Sequence, residues 1–157
     1  SLSKSHAMTG ARLGWTVAPR EAAARLADLA IATNYGLPGF IQAGGAVALT
    51  DAEEAERAVI GRYRDRRAAV LEALRAVPGI GVVPPEGGMY VMLDIRPTGL
   101  SGTAFAERLL EAERVAVMPG ESFGAAGAGH VRVALTVPEA RLREAVARIG
   151  RFAGTLS

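Results

Sequence analysis

The sequence predicts an α/β protein, and three observations carry that expectation. From residue 78 onward, short apolar runs rich in β-branched residues alternate with amphipathic stretches, the pattern of a sheet layered with helices. Residues 51–77 hold one long pattern of apolar side chains at helical spacing. Gly and Pro punctuate the joints, as in Gly36-Leu37-Pro38-Gly39, Pro78-Gly79, Pro84-Pro85-Glu86-Gly87-Gly88 and Pro119-Gly120. There is no internal repeat.

Taken in order, Leu13 to Val17 predicts a short extended stretch running into Ala18-Pro19, with Pro19 opening a helix in its first turn. Leu26, Leu29, Ala30 and Thr33 follow at helical spacing, and Asn34 to Gly39 breaks the helix. A second helix of small residues spans about Phe40 to Leu49. Thr50 with Glu53 reads as a capping box for the long helix. Val59, Tyr63, Val70 and Leu74 mark its buried face, and Glu54, Arg57, Arg64 and Arg67 its solvated one. Pro78-Gly79 ends it, and a helix this long could bridge two domains.

Beyond it, Gly81-Val82-Val83 is a strand, followed by the Pro84–Gly88 turn and a strand from Met89 to Ile95. Thr103 to Glu113 is a helix with Phe105, Leu109 and Leu110 inside. Val115 to Met118 and His130 to Thr136 are strands. Thr136 with Glu139 reads as a second capping box, and the last helix buries Leu142, Val146, Ile149 and Phe152. Gly120, Gly124, Gly127 and Gly129 read as backbone requirements of a loop; their spacing matches no nucleotide fingerprint.

Bulk properties narrow the function. The chain of 157 residues is long enough for a real core, and half of it is hydrophobic. The net charge is only +2, with arginines interleaved with acids and aromatics at 5%, which argues against a nucleic-acid surface. There is no cysteine, so a disulfide scaffold and cysteine-ligated metal are excluded. Two histidines, His6 and His130, make a histidine metal cluster improbable and read as structural or exposed. No apolar run is long enough to span a bilayer and no signal peptide is visible, so a cytoplasmic setting is expected. The first residue is Ser, and the segment richest in chemistry begins there; the chain is expected to be the C-terminal part of a longer protein.

Of 18 basic residues, 17 are arginine and one, Lys4, is lysine. Arginine replaces lysine in most solvated roles but cannot lose its proton to form an imine with an aldehyde, and a primary amine can. Counted alone, Lys4 reads equally well as an ordinary surface charge. Its neighbours change that. Ser1 lies three residues before it and Arg12 eight after. Hydroxyls with a planar guanidinium fork suit a phosphate. An amine beside such a clamp is the minimum kit for pyridoxal phosphate.

These residues carry a resemblance. Ser1-Leu2-Ser3-Lys4 with Ala7-Met8-Thr9-Gly10 and Arg12-Leu13-Gly14-Trp15 resembles the cofactor-lysine segment of class I/II aminotransferases, fold-type I pyridoxal phosphate enzymes. Tyr35 to Gln42, Pro85-Glu86-Gly87-Gly88-Met89-Tyr90-Val91, and Val117-Met118-Pro119-Gly120 with Phe123-Gly124 and His130 to Leu135 are similar to later segments of that family, in order. Many relatives have an aromatic where Ala11 stands. The resemblance covers essentially the whole chain and implies the C-terminal part of the PLP-transferase fold. Residues 1–50 would end the large cofactor-binding domain, 51–77 would be a connecting helix, and 78–157 a small α+β domain.

The resemblance also implies roles. Lys4 would bond the cofactor aldehyde as a Schiff base and shuttle the proton at the substrate α-carbon. Ser1, Ser3 and Arg12 would hold the cofactor phosphate. Arg132, alternating with Val131 and Val133 and so facing away from them, would pair with the substrate α-carboxylate. Asn34 and Tyr35 lie near a loop that in some relatives reaches the neighbouring subunit's site. The expected reaction moves an amino group from an amino acid to a 2-oxo acid in a homodimer, with no nucleic acid, membrane or metal. The family also expects an aromatic stacked on the cofactor ring, an Asp at its pyridine nitrogen, and an Asn and a Tyr at its hydroxyl. These lie in an upstream half outside these 157 residues, so the chain alone is expected to be inactive or nearly so. Three alternatives stay open: another reaction on the same scaffold (lyase, decarboxylase or cyclase), the aminotransferase-like effector domain of a transcription regulator, or a folding fragment that binds no ligand.

Overall fold

The alternation of Val91 and Leu93 with Tyr90, Met92 and Asp94 gives a strand one face of which is wholly buried. The same period places Val131 and Val133 inside and His130 and Arg132 on the opposite face. The computed structural model describes residues 1–156, so Ser157, the last residue of the 78–157 segment, lies outside the described residues. The chain divides into two compact units, Ser1–Arg62 and Tyr63 onward.

Unit 1 holds a one-turn helix α1 (Leu2–Ser5), α2 (Arg20–Asn34), α3 (Gly39–Thr50) and the first part of α4 (Glu53–Leu74). Leu13 to Val17 forms no strand, since no neighbouring strand pairs with it there. Pro19 sits one position before the first turn of α2, and its carbonyl accepts from Ala23 N at 2.9 Å. Tyr35, in the left-handed region at φ 59°, ends α2, and Asn34 Oδ1 accepts from Gly36 N. The small residues of α3 have a purpose. A side chain on Gly45 would overlap Leu13 Cδ2 and touch Leu2, so this notch lets the segment Leu2–Leu13 lie against the helix. Thr50 is the last residue of α3, its hydroxyl bonded back to Ala46 O, and caps nothing. Three acids in the first turn of α4, Glu53, Glu54 and Glu56, complement the helix dipole instead.

Among the described residues, unit 2 holds the rest of α4, α5 (Gly102–Glu113), α6 (Glu139–Gly154) and four strands: β1 (Gly81–Val83), β2 (Tyr90–Asp94), β3 (Met118–Pro119) and β4 (His130–Ala134). Every pairing is antiparallel, in the order β1-β2-β4-β3, with Met92 opposite Arg132 and Val91 opposite Val133. The architecture is therefore α+β in this unit. Val70 and Leu74 of α4, Phe105 and Leu109 of α5, and Leu142, Val146, Ile149 and Phe152 of α6 pack on the inner face of the sheet. Phe105 meets Phe152 edge-on at 5.1 Å between ring centres.

Leu110, expected inside, is half exposed: it follows Leu109 by one residue, so it turns about 100° away from the buried stripe. The expected strand at Val115–Met118 reduces to Met118–Pro119, which pairs with Arg132 and Val131 of β4. Thr136 lies outside α6, whose N-cap position is Pro138 with no side-chain cap. Arg148 closes the end of α5 by donating to Glu113 O at 2.8 Å, and Arg151 pairs with the Glu113 carboxylate at 2.7 Å. Arg66 ties α4 to the sheet through Leu135 O at 3.1 Å.

One pair predicts an acid response. Arg96 donates to both oxygens of Asp94, at 2.8 and 2.6 Å, and its backbone N–H adds a third bond. The Arg96 side chain first, opposed by burial and aided by the backbone bond, pulls the Asp94 carboxyl from an ordinary 3.8 to about 2. A depressed carboxyl contributes stability that is present above its unfolded value and is lost as pH falls through the folded one. Unfolding midpoints in urea should thus fall between about pH 4 and pH 2, by a modest amount because Arg96 is exposed. Asp94→Asn should flatten that part of the profile; equal slopes in both proteins would refute the assignment.

Candidate active site

Residues 1–20 carry Lys4, Arg12 and Arg20 and contain no Asp or Glu. This cationic stretch, with hydroxyls at Ser1, Ser3, Ser5 and Thr9, is folded on itself in unit 1. Ser1 caps α1, its Oγ accepting from Ser3 N at 3.2 Å. Thr9 Oγ1 donates to Ser3 O at 3.0 Å, closing the segment from the other side. The 3₁₀ turn Thr9–Ala11 ends at Arg12, which adopts the left-handed region at φ 55°. That turn reverses the chain and brings an Arg12 Nη back to Thr9 O at 3.1 Å. Gly14 then passes the Ser1 side chain, where a Cβ would sit 3.5 Å from Ser1 Cβ.

Ser1, Lys4 and Arg12 are exposed, whereas Ser3 is buried at 9% exposure. The segment therefore carries an exposed amine, an exposed guanidinium and an exposed hydroxyl, and no carboxylate of its own. A serine hydroxyl that already accepts one bond still has its own proton to donate. This donor set fits a phosphate monoester that also bears an aldehyde. Among the described residues, no group of three His, Cys, Asp or Glu could hold a metal.

The second expected site residue, Arg132, belongs to unit 2 and is described within it. Its guanidinium lies on the outer face of the sheet between two rings, 4.1 Å from the centre of Tyr90 and 4.6 Å from that of Phe123. Its Nε is buried and, among the described residues, donates to no acceptor. A buried donor left without a partner costs about 1–3 kcal/mol, which an incoming acceptor would recover. Tyr90 and Phe123 lie in segments that the sequence singles out, but nothing in their spacing shows that both rings meet Arg132. Glu121 is likewise illegible. Its Oε1 accepts from Gly102 N at 2.8 Å across 19 residues, at the start of α5. Backbone N–H groups, its own first and then that of Gly102, hold its carboxyl below the usual range against the effect of burial.

The comparisons with known proteins bear on the whole chain. The family model for aminotransferase class I and II matches residues 1–149. An arginine–pyruvate transaminase of Pseudomonas aeruginosa is 49% identical over 156 residues, covering 99% of this chain and 40% of that protein. An aspartate aminotransferase of Pyrococcus horikoshii is 39% identical over 151 residues, 95% of this chain and 39% of that one. Among solved structures, an aromatic aminotransferase from Pyrococcus horikoshii superposes with a TM-score of 0.92 at 37% identity, over 99% of this chain and 42% of that one. A Thermus thermophilus aspartate aminotransferase determined with maleate gives 0.83 at 38% identity, over 94% and 38%. The chain thus spans about two fifths of the length of these relatives. A family match over nearly every residue, together with a superposition that includes both units, shows that the chain belongs to the class I and II aminotransferases and forms a portion of their fold.

Proposed function

We propose that the complete protein carrying this chain is a pyridoxal phosphate-dependent aminotransferase, moving an amino group from an amino acid to a 2-oxo acid. The observation that carries the reading is Lys4: the one lysine of the chain stands exposed in an acid-free segment that also holds Ser1 and Arg12. Pyridoxal phosphate, when bound, supplies an aldehyde for the amino group and a ring that takes up electrons from the substrate α-carbon.

The remaining work falls to side chains. Ser1, whose Oγ accepts from Ser3 N, Ser3 itself and the Arg12 fork would hold the phosphate. The Lys4 amine would hold the aldehyde end and, once freed by the substrate amine, would carry the proton that leaves the substrate α-carbon. Arg132 takes the α-carboxylate with a planar pair of donors, a task for which lysine is a poor substitute. Maleate, the dicarboxylate named with the Thermus relative, is in keeping with a carboxylate-pairing arginine. The protein is expected to act as a cytoplasmic homodimer; no described helix is long and apolar enough to cross a membrane. Light scattering checks the dimer.

The first test uses the complete protein with pyridoxal phosphate and borohydride. The reduced adduct should lie on Lys4, in the tryptic peptide ending at Arg12, and an adduct confined to another residue would overturn the reading. Arginine with pyruvate is the first substrate pair to assay, being named in the 49% identical relative. Alanine should accumulate with one of the amino donors tried. Loss of carbon dioxide or of a side-chain fragment, without alanine, would favour a different reaction on this scaffold.

A further inference from the structure

The two rings that enclose Arg132 are held in different ways. Tyr90 lies on β2, opposite Ala134 in the β2–β4 ladder, so backbone bonds fix it relative to Arg132. Phe123 ends a 3₁₀ turn, Gly120–Phe123, and is half exposed, so no core packing fixes it. What ties that turn down is Glu121, two residues earlier, whose carboxylate caps α5 at Gly102 N. The close approach is built into the backbone. A Cβ on Gly102 would stand 2.2 Å from Glu121 Oε2 and 2.6 Å from His130 O. On Gly120 it would stand 2.0 Å from Gly127 O. Gly102 is thus the point where the turn and the start of β4, the strand of Arg132, both meet α5.

We propose that Glu121 and Phe123 are positioning residues: the Glu121–Gly102 contact seats the Phe123 ring, which with Tyr90 fixes the plane of the Arg132 guanidinium and so sets the affinity for the substrate carboxylate. This rests on the reading of Arg132 as the carboxylate receptor. A guanidinium between two rings keeps its edge free while its faces are desolvated. A carboxylate approaching in plane then meets donors that are already oriented. Without Phe123, one face rehydrates and the fork turns more freely.

The experiment uses the complete, cofactor-loaded protein and two readouts: the dissociation constant of maleate, and KM against kcat for the best amino donor. Phe123→Ala should weaken maleate and raise KM roughly tenfold, the size of one partly desolvated ring–guanidinium contact, with kcat within about threefold. Glu121→Ala should reproduce that effect, and Glu121→Gln, which keeps an oxygen for Gly102 N, should restore most of it. Because Glu121 acts through Phe123, the double variant Glu121→Ala/Phe123→Ala should be no worse than Phe123→Ala alone. Unchanged maleate affinity in Phe123→Ala, or additive losses in the double variant, would overturn the proposal. If either alanine variant is unstable, Phe123→Leu and Glu121→Gln provide the same comparison, with Glu121→Gln near wild type and Phe123→Leu weakened. Arg132→Ala separates the levels. If it leaves maleate binding intact, the carboxylate reading itself fails and this one with it; if it abolishes binding while Phe123→Ala does nothing, only the positioning role fails.

Discussion

Replacing Lys4 by alanine should lower transamination by the complete protein by about 10⁴-fold or more, since on the proposed reading it removes both the imine-forming amine and the proton carrier. Lys4→Arg should lose as much. Arginine keeps the charge and the length but not an amine that can shed its proton. That equality is the informative part: a lysine serving only as a positive charge for the phosphate would be largely replaced by arginine. Steady-state rates for both variants, with cofactor binding followed separately, check it. Retention of more than a tenth of the wild-type rate in either variant would remove Lys4 from the chemistry.

The largest stability effect is expected at Phe105. It is fully buried in the first turn of α5, against Phe152 of α6 and the inner face of the sheet. Truncation leaves a cavity among elements that are held independently, α5 to α6 by Arg148 and Arg151 and α4 to the sheet by Arg66. The surroundings cannot collapse freely, so Phe105→Ala should cost about 3–5 kcal/mol. Chemical denaturation of the complete protein, followed through unit 2, measures this. A loss below about 1 kcal/mol would mean that the core relaxes around the vacancy. Leu110→Ala, one residue along on the half-exposed side, should cost far less, which separates burial from helix propensity.

Particular elements show how much of this was legible. The strands around Val91 and Val131 follow from alternation, and α6 from apolar residues three and four apart, because each period reports which face is dry. The two capping boxes were not formed. Thr50 and Thr136 have the right spacing to an acid, yet one is absorbed into the preceding helix and the other stands clear of the next. A cap depends on where the chain enters the helix, and neighbouring elements decide that. The candidate site divides the same way. Lys4, Ser1, Ser3 and Arg12 could be named from one short segment, since residue type and proximity along the chain are enough to pose the chemistry. That Leu2 and Leu13, which flank these residues, lie against α3 depends on the notch at Gly45.

By itself, then, the sequence determined the alternation of strands and helices, the solitary amine, its hydroxyl and guanidinium neighbours, and the side of its strand on which Arg132 falls. All of these are local: they depend on side-chain chemistry, on spacing, or on a period of two or 3.6 residues. Only the tertiary structure decided that Tyr90 and Phe123, which lie 33 residues apart, close on the same guanidinium, and that Glu121 reaches Gly102. Those meetings are made by the antiparallel register of β2 with β4 and by glycines that let backbones approach where a single Cβ would hold them apart.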